Sequence, residues 1–414
     1  MKSMQEMRNK LLWLPAAAAV TLLSLSSTAW AGNACSALTT LYTSAPSAIT
    51  KAQPGAKSIH EAMQACRSQL NAPSASPGVQ AAAPAARGEF AIFDIPDNPD
   101  GPVPVVINNA GAVAGYYFDT SGLQHSFLRA PDGTVIAFDP PGTVCNPAAS
   151  SFCSGAAGIT AGGVIIGSYA DMAGGHGYLR TPDGKFQTWD VPGSNNRTSP
   201  TASNPAGAVT GQYTGGDGLF HGFLLQTNGI YTTFDPPASG YTLPTDVNSP
   251  GVIVGAFFES VPGFPVGFVR AKNGLMTPFS APASGVINTY PTIALNAQGT
   301  AAGSFCSDAQ CDAVHAFLRA VDGTMTVVDA PGDNYATQLN AINAAGDTTG
   351  WTIPSDFSAQ HGFVRTQQGT FATIDPPGSG FTSPFAINDP GAVAGNFCDP
   401  TFASCHGFVW IPHR

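Results

Sequence analysis

The chain has 414 residues, a formal net charge of −10 and only 10% charged side chains, against roughly 25% in ordinary globular proteins. That acidic balance argues against nucleic acid as a partner, because phosphates demand a basic surface. With 47 glycines and 35 prolines beside 43% hydrophobic residues, the chain can bury a sizeable core. It has little room for long helices, since Gly and Pro both oppose the helix interior. The composition points to an all-β protein.

Residues 1–31 read as a secretory signal peptide. Lys2, Arg8 and Lys10 give a positive start, Leu11–Leu25 an apolar run, and Ala29-Trp30-Ala31 the small residues a signal peptidase needs, with cleavage near Ala31. The run is too short for a comfortable bilayer span, and no later stretch is long and apolar enough. The mature chain is therefore expected to be secreted, extracellular or periplasmic, without membrane insertion. Residues 32–72 carry a helix-compatible run around Ser58–Leu70, and residues 73–87 form a linker rich in Ala and Pro.

All eight cysteines lie beyond the cleavage site in close pairs: Cys35 with Cys66, Cys145 with Cys153, Cys306 with Cys311, and Cys398 with Cys405. An even count in an exported chain favours disulfides over metal ligation or a catalytic thiol.

From residue 88 onward the chain repeats. Glycines four apart recur as Gly111/Gly115, Gly163/Gly167, Gly207/Gly211, Gly251/Gly255, Gly299/Gly303, Gly346/Gly350 and Gly391/Gly395, spaced 52, 44, 44, 48, 47 and 45 residues. Three residues before each first glycine stands Asn, replaced once by Thr160. Each unit holds four strand-like runs; in the sixth they are Gln338–Asn343, Asp347–Thr352, His361–Thr366 and Thr370–Asp375. Four antiparallel strands per roughly 45 residues is the pattern of a β-propeller blade. The seventh unit stops after its third strand, while an orphan fourth strand, residues 89–94, precedes the first. The expected fold is a seven-bladed propeller over 88–414, closed by that N-terminal strand, so that no open edge remains there.

The blocks His315-Ala316-Phe317-Leu318-Arg319 and Ile387-Asn388-Asp389-Pro390-Gly391 resemble the HAF repeats of exported bacterial proteins. The resemblance covers the propeller region, leaves 32–87 outside, and implies secretion and a propeller-like fold. It brings no catalytic motif.

Six histidines open third strands: His125, His176, His221, His315, His361 and His406. Fourteen residues after each of the first five stands an aspartate (Asp139, Asp190, Asp235, Asp329 and Asp375), and Asp94 on the closing strand would serve His406. Positions fourteen apart in such a hairpin lie nearly opposite. The fourth unit has lost both members together, with Val266 and Ser280 in their places. Recurrence in every unit marks these pairs as scaffold, since an active site is needed once. The recurrent arginines are scaffold by the same logic.

The second-to-third loops and the inter-blade links vary, and strand alternation places both at one end, where ligands usually bind. The loops there are acidic: Asp119, Asp171, Asp217, Glu259, Asp308, Asp312, Asp356 and Asp399. These acids suit turns, or a calcium ion in one loop, although no ligand series of the EF-hand kind is present. No cofactor is expected. Aromatic and irregular residues near the channel mouth make the candidate ligand site: Arg197, Tyr241, Asp246, Tyr290, Tyr335 and Phe381, centred between Arg197 and Tyr290.

Aromatics there could stack on sugar rings and Arg197 could bind a carboxylate. The leading expectation is a monomeric binding or scaffolding module for an extracellular glycan or protein. The alternative is a carbohydrate-active enzyme, a polysaccharide lyase first, with Arg197 neutralising a uronate and Tyr241 or Tyr290 moving the proton. No catalytic residue is assigned.

Overall fold

The computed structural model describes residues 83–98, 100–145, 152–195, 197–259, 265–280, 288–306, 313–332 and 334–413, without the side chains of 288–293. The signal peptide, the 32–72 segment with Cys35 and Cys66, most of the linker, and Cys311 lie outside these residues. The described chain is built from twenty-eight strands and holds no helix.

The first antiparallel meander runs Val103–Ile107, Val113–Phe118, Gln124–Arg129 and Val135–Phe138. The same plan repeats over 154–189, 198–234, 241–279, 288–327 and 334–373. The C-terminal strands Phe381–Ile387, Val393–Cys398 and Cys405–Pro412 form a meander of three. Gly88–Phe93 supplies its outer strand, with Gly88 opposite Pro412 and Phe93 opposite Gly407. First strands of successive meanders touch one another in order, and that of the first also touches Phe381–Ile387. In the sixth meander the first strand starts at Asn334, earlier than the sequence pattern suggests, because the ladder extends through a further bulge to Asn334 opposite Pro354.

The recurrent Asn works in two directions. Asn108 Oδ1 accepts from the N–H groups of Ala110 and Ala112 at 3.1 and 3.0 Å, closing the turn. Gly111 sits there at φ +84°, a conformation that a Cβ would strain. Asn108 Nδ2 donates to the Thr160 carbonyl of the next meander at 3.2 Å. The same amide-to-carbonyl bond runs from Asn204 to Asn248, Asn248 to Asn296, Asn343 to Asn388, and Asn388 to Asn108. Thr160 keeps the turn bond, accepting from Val164 N–H, but has no amide; the Ala161 N–H donates to Pro205 O instead.

The second glycine has a steric cause. Each first strand is bulged, as between Pro104 and Val106 or Pro384 and Ala386, and a carbonyl there crowds the facing glycine. A Cβ on Gly115 would collide with Val103 O and the Phe127 ring, and one on Gly395 with Ser383 O and the Phe408 ring. The slot left by the missing side chain is filled by a third-strand aromatic: Phe127, Tyr178, Phe223, Phe268, Phe317, Phe363 and Phe408 are all buried. Each such burial contributes roughly 1.5–3 kcal/mol. These rings pack across meanders: Phe127 clusters with Phe93, Ala394 and Val409 of the C-terminal group.

The recurrent arginines are packed into the same seams. Arg129, Arg180, Arg270 and Arg319 stack over Phe93, Phe138, Phe234 and Phe279 of the preceding outer strand, at 4.7–5.4 Å. Arg365 stacks over Phe371 of its own hairpin at 5.7 Å. Such contacts contribute roughly 0.5–2 kcal/mol each.

Candidate functional site

Antiparallel alternation gathers the second-to-third loops and the links between meanders at one end of the sheets, and the recurrent His stands at that end. His Nδ1 meets its aspartate at 2.7 Å in His125–Asp139, His221–Asp235, His315–Asp329 and His361–Asp375. The distances are 2.9 Å for His176–Asp190 and 2.6 Å for His406–Asp94. An aromatic on the second strand supports most of these rings: Tyr117, Tyr169, Tyr213, Phe305 and Phe397 lie 5.3–5.5 Å from theirs.

The aspartates also reach into the next meander. Ser154 Oγ donates to Asp139 and Thr242 Oγ1 to Asp235, both at 2.5 Å. Tyr290 stands at the place of these hydroxyl residues in the fifth meander, following the fourth, which lacks the His–Asp pair.

The hydrogen bond to Asp139 raises the His125 pKa above its ordinary value, and that to Asp375 does the same for His361. For His176 and His221 burial opposes the charge, but bonds to Asp190 with Asp171, and to Asp235 with Asp217, outweigh it and the shift is again upward. Loop aspartates Asp119, Asp171, Asp217 and Asp399 also accept from backbone N–H groups of Ser121, Ala173, Leu219 and Thr401, as turn-formers do.

Arg197 forms an isolated parallel bridge with Gly175, and its guanidinium stacks over the Phe220 ring at 5.1 Å. Burial pulls its pKa down. Tyr241 pairs in parallel with Phe220, and the two rings are 5.1 Å apart. Arg197 and Tyr241, from successive links, are thus joined through Phe220.

Tyr335 packs on Phe357 at 4.7 Å and Phe381 on Phe402 at 4.2 Å, each at its own junction. The Tyr290 side chain lies outside the described residues. Asp246 lies farther along its strand, accepting from Val247 N–H at 2.7 Å and from Leu295 N–H of the next meander at 2.8 Å. Burial pushes its pKa up to about 6, and the two N–H bonds counter part of that shift.

Phe220 escaped the sequence reading. Its signal is the position just before the recurrent His, which holds Gln124, Gly175, Phe220, Val314, Gln360 or Cys405 while its surroundings stay constant. The loop acids were visible in the sequence, but the contacts of Asp171 with His176 Nε2 and of Asp217 with His221 Nε2 were not.

Two of the expected disulfides are present, Cys145–Cys153 and Cys398–Cys405. Cys306 is disulfide-bonded as well. Among the described residues one group of three has metal-ligand proximity, His125 with Cys145 and Cys153. Its two sulfurs are joined to each other and are not thiolates. No helix among the described residues is long and apolar enough to cross a membrane.

Repeated four-stranded antiparallel meanders packed face to face define a β-propeller fold. Neither a family model nor a curated protein matches the chain. Solved structures do match. A streptogramin B lyase is 14% identical over 78% of this chain and 98% of its own, with a TM-score of 0.51. Virginiamycin B lyase from Staphylococcus aureus is 14% identical at the same coverage, with a TM-score of 0.48. A gluconolactonase from Xanthomonas campestris is 12% identical over 82% and 99%, with a TM-score of 0.36. At 14% identity the likeness to the streptogramin B lyase is one of fold.

Proposed function

We propose that the chain is a secreted, monomeric, seven-bladed propeller of the HAF-repeat kind that binds an extracellular glycan or protein on its variable-loop end. The pairing of Gly88–Phe93 with Cys405–Pro412 and the Asn388-to-Asn108 bond support a closed ring of seven blades. The observation that carries the binding role is the stack of Arg197, Phe220 and Tyr241 at one junction of that end. A guanidinium held against a ring, with a tyrosine beside it, combines a fixed cation with flat apolar surface. That pairing suits a sugar ring bearing hydroxyls or a carboxylate, and equally the Arg and aromatic anchors of protein interfaces. Stapled loops at Cys145–Cys153 and Cys398–Cys405 reduce the ordering cost of binding there.

The test is a glycan-array screen of the purified chain, read together with ultraviolet absorbance for unsaturated sugar products. Retention of a glycan that falls at least about tenfold in Arg197→Ala and Phe220→Ala supports the reading, tenfold being about 1.4 kcal/mol. Unsaturated product would instead establish the polysaccharide-lyase alternative. Retention unaltered in both variants would remove this junction from the site.

A further inference from the structure

Two histidines have carboxylates on both ring nitrogens. His176 Nδ1 lies 2.9 and 3.0 Å from the oxygens of Asp190, while its Nε2 lies 3.0 Å from Asp171 Oδ1. In the next meander His221 Nδ1 lies 2.7 Å from Asp235 and Nε2 3.1 Å from Asp217. An ionised carboxylate donates nothing, and a neutral imidazole carries one N–H. With that N–H on Nδ1, facing the hairpin aspartate, Nε2 directs a lone pair at a carboxylate oxygen. Two electron-rich atoms at that separation need a cation between them, either a proton or a metal ion.

We propose that His176 Nε2 with Asp171, and His221 Nε2 with Asp217, are two binding sites for a divalent d-block ion of the Zn²⁺ class. The carboxylate on Nδ1 is the arrangement by which metal-binding histidines are usually oriented. Bonds of ~2.0–2.1 Å from a tetrahedral ion place two ligand atoms about 3.3 Å apart, close to the 3.0 and 3.1 Å found here. Both rings are held from behind, by Tyr169 and Tyr213 at 5.3 Å.

Both loop carboxylates are already aimed, Asp171 by the N–H groups of Ala173 and Gly174 and Asp217 by that of Leu219. Asp171 is 29% and Asp217 51% exposed, so water can complete the coordination. An imidazole nitrogen favours d-block ions over Ca²⁺, which takes oxygen ligands. A bound ion would pin the second-to-third loops of two neighbouring meanders to their third strands. His125 and Asp119, at 3.6 Å, make a looser version. His406 does not belong to the set, because its Nε2 meets the Ser404 hydroxyl.

The test is a Co²⁺ titration of the full chain, disulfides oxidised and free of any polyhistidine tag. Equilibrium dialysis counts the ions and visible d–d absorption reports their ligands. Two equivalents are expected. His176→Gln and His221→Gln should each lose one, the double variant both, and His406→Gln none. Asp190→Asn should weaken its site about ten- to hundredfold. Near-UV circular dichroism checks folding; should the double histidine variant unfold, Asp171→Ala with Asp217→Ala removes the outer ligand from exposed loops and carries the same test. No Co²⁺ uptake by the wild-type chain, or equal uptake by the double variant, overturns the proposal.

Discussion

Asn388 can be changed in two ways that separate the two tasks of its side chain. Its Oδ1 accepts from Ala392 N–H at 2.8 Å inside the turn, and its Nδ2 donates to Asn108 O at 3.0 Å across the junction of the C-terminal and first meanders. Asn388→Ala removes both. The Asn108 carbonyl keeps the Gly111 N–H as a partner, so that loss costs about 1 kcal/mol, while the buried Ala392 N–H is orphaned at about 1–3 kcal/mol. The expected total is ~2–4 kcal/mol.

Asn388→Thr copies Thr160, whose Oγ1 accepts the equivalent N–H at 3.0 Å, and should cost only about 1 kcal/mol. Urea denaturation is the better assay, since a chain of this size shifts its Tm by only about 1–2 °C per kcal/mol. Trp410, buried in the C-terminal meander, provides the fluorescence signal. If Thr proves as damaging as Ala, the turn bond is not the stronger of the two. If neither costs more than ~0.5 kcal/mol, neither bond holds this junction together.

Three further outcomes are expected. Asp246 binds its proton more tightly in the folded chain, with a pKa of about 6 against 3.8; its stabilising contribution is full below about pH 4 and is lost as pH rises through 6, by at most ~3 kcal/mol because the residue is only half-buried. Asp246→Ala should flatten the urea-stability profile across that window, and an unchanged slope would remove Asp246 as its cause. Gly395→Ala drives a Cβ into Ser383 O and the Phe408 ring and should cost ~3 kcal/mol or more; a loss under about 1 kcal/mol would mean that the bulged strand yields. Replacing Cys398 and Cys405 together by Ala opens a loop of sequence separation 7. The expected loss is about 2 kcal/mol, measured as a lower urea midpoint, and an unmoved midpoint would mean that closing this loop restrains the unfolded chain very little.

What could be read from the amino-acid order was whatever recurs within one repeat. The alternating runs, the Asn-x-x-Gly turns and the paired glycines marked the meanders. His and Asp fourteen residues apart were legible as partners because one hairpin sets their distance, and five such pairs stand where that spacing puts them. Even the sixth, His406 with Asp94 across 312 residues, followed from the truncated last repeat.

The remaining contacts lie between repeats or on loops of variable length. The loop aspartate precedes its histidine by five residues at His176 and by four at His221, so no fixed spacing announces the contact. Arg197, Phe220 and Tyr241 come from three segments brought together by the packing of neighbouring meanders. Asp246 finds its second partner 49 residues away, and the amides of Asn108, Asn204, Asn248, Asn343 and Asn388 find their carbonyls in the neighbouring repeat. Strand pairing within a repeat follows from local periodicity and turn geometry, whereas the angle and depth at which sheets pack depend on side-chain volumes from both neighbours at once. The junctions between meanders, where the candidate site lies, are set by that packing.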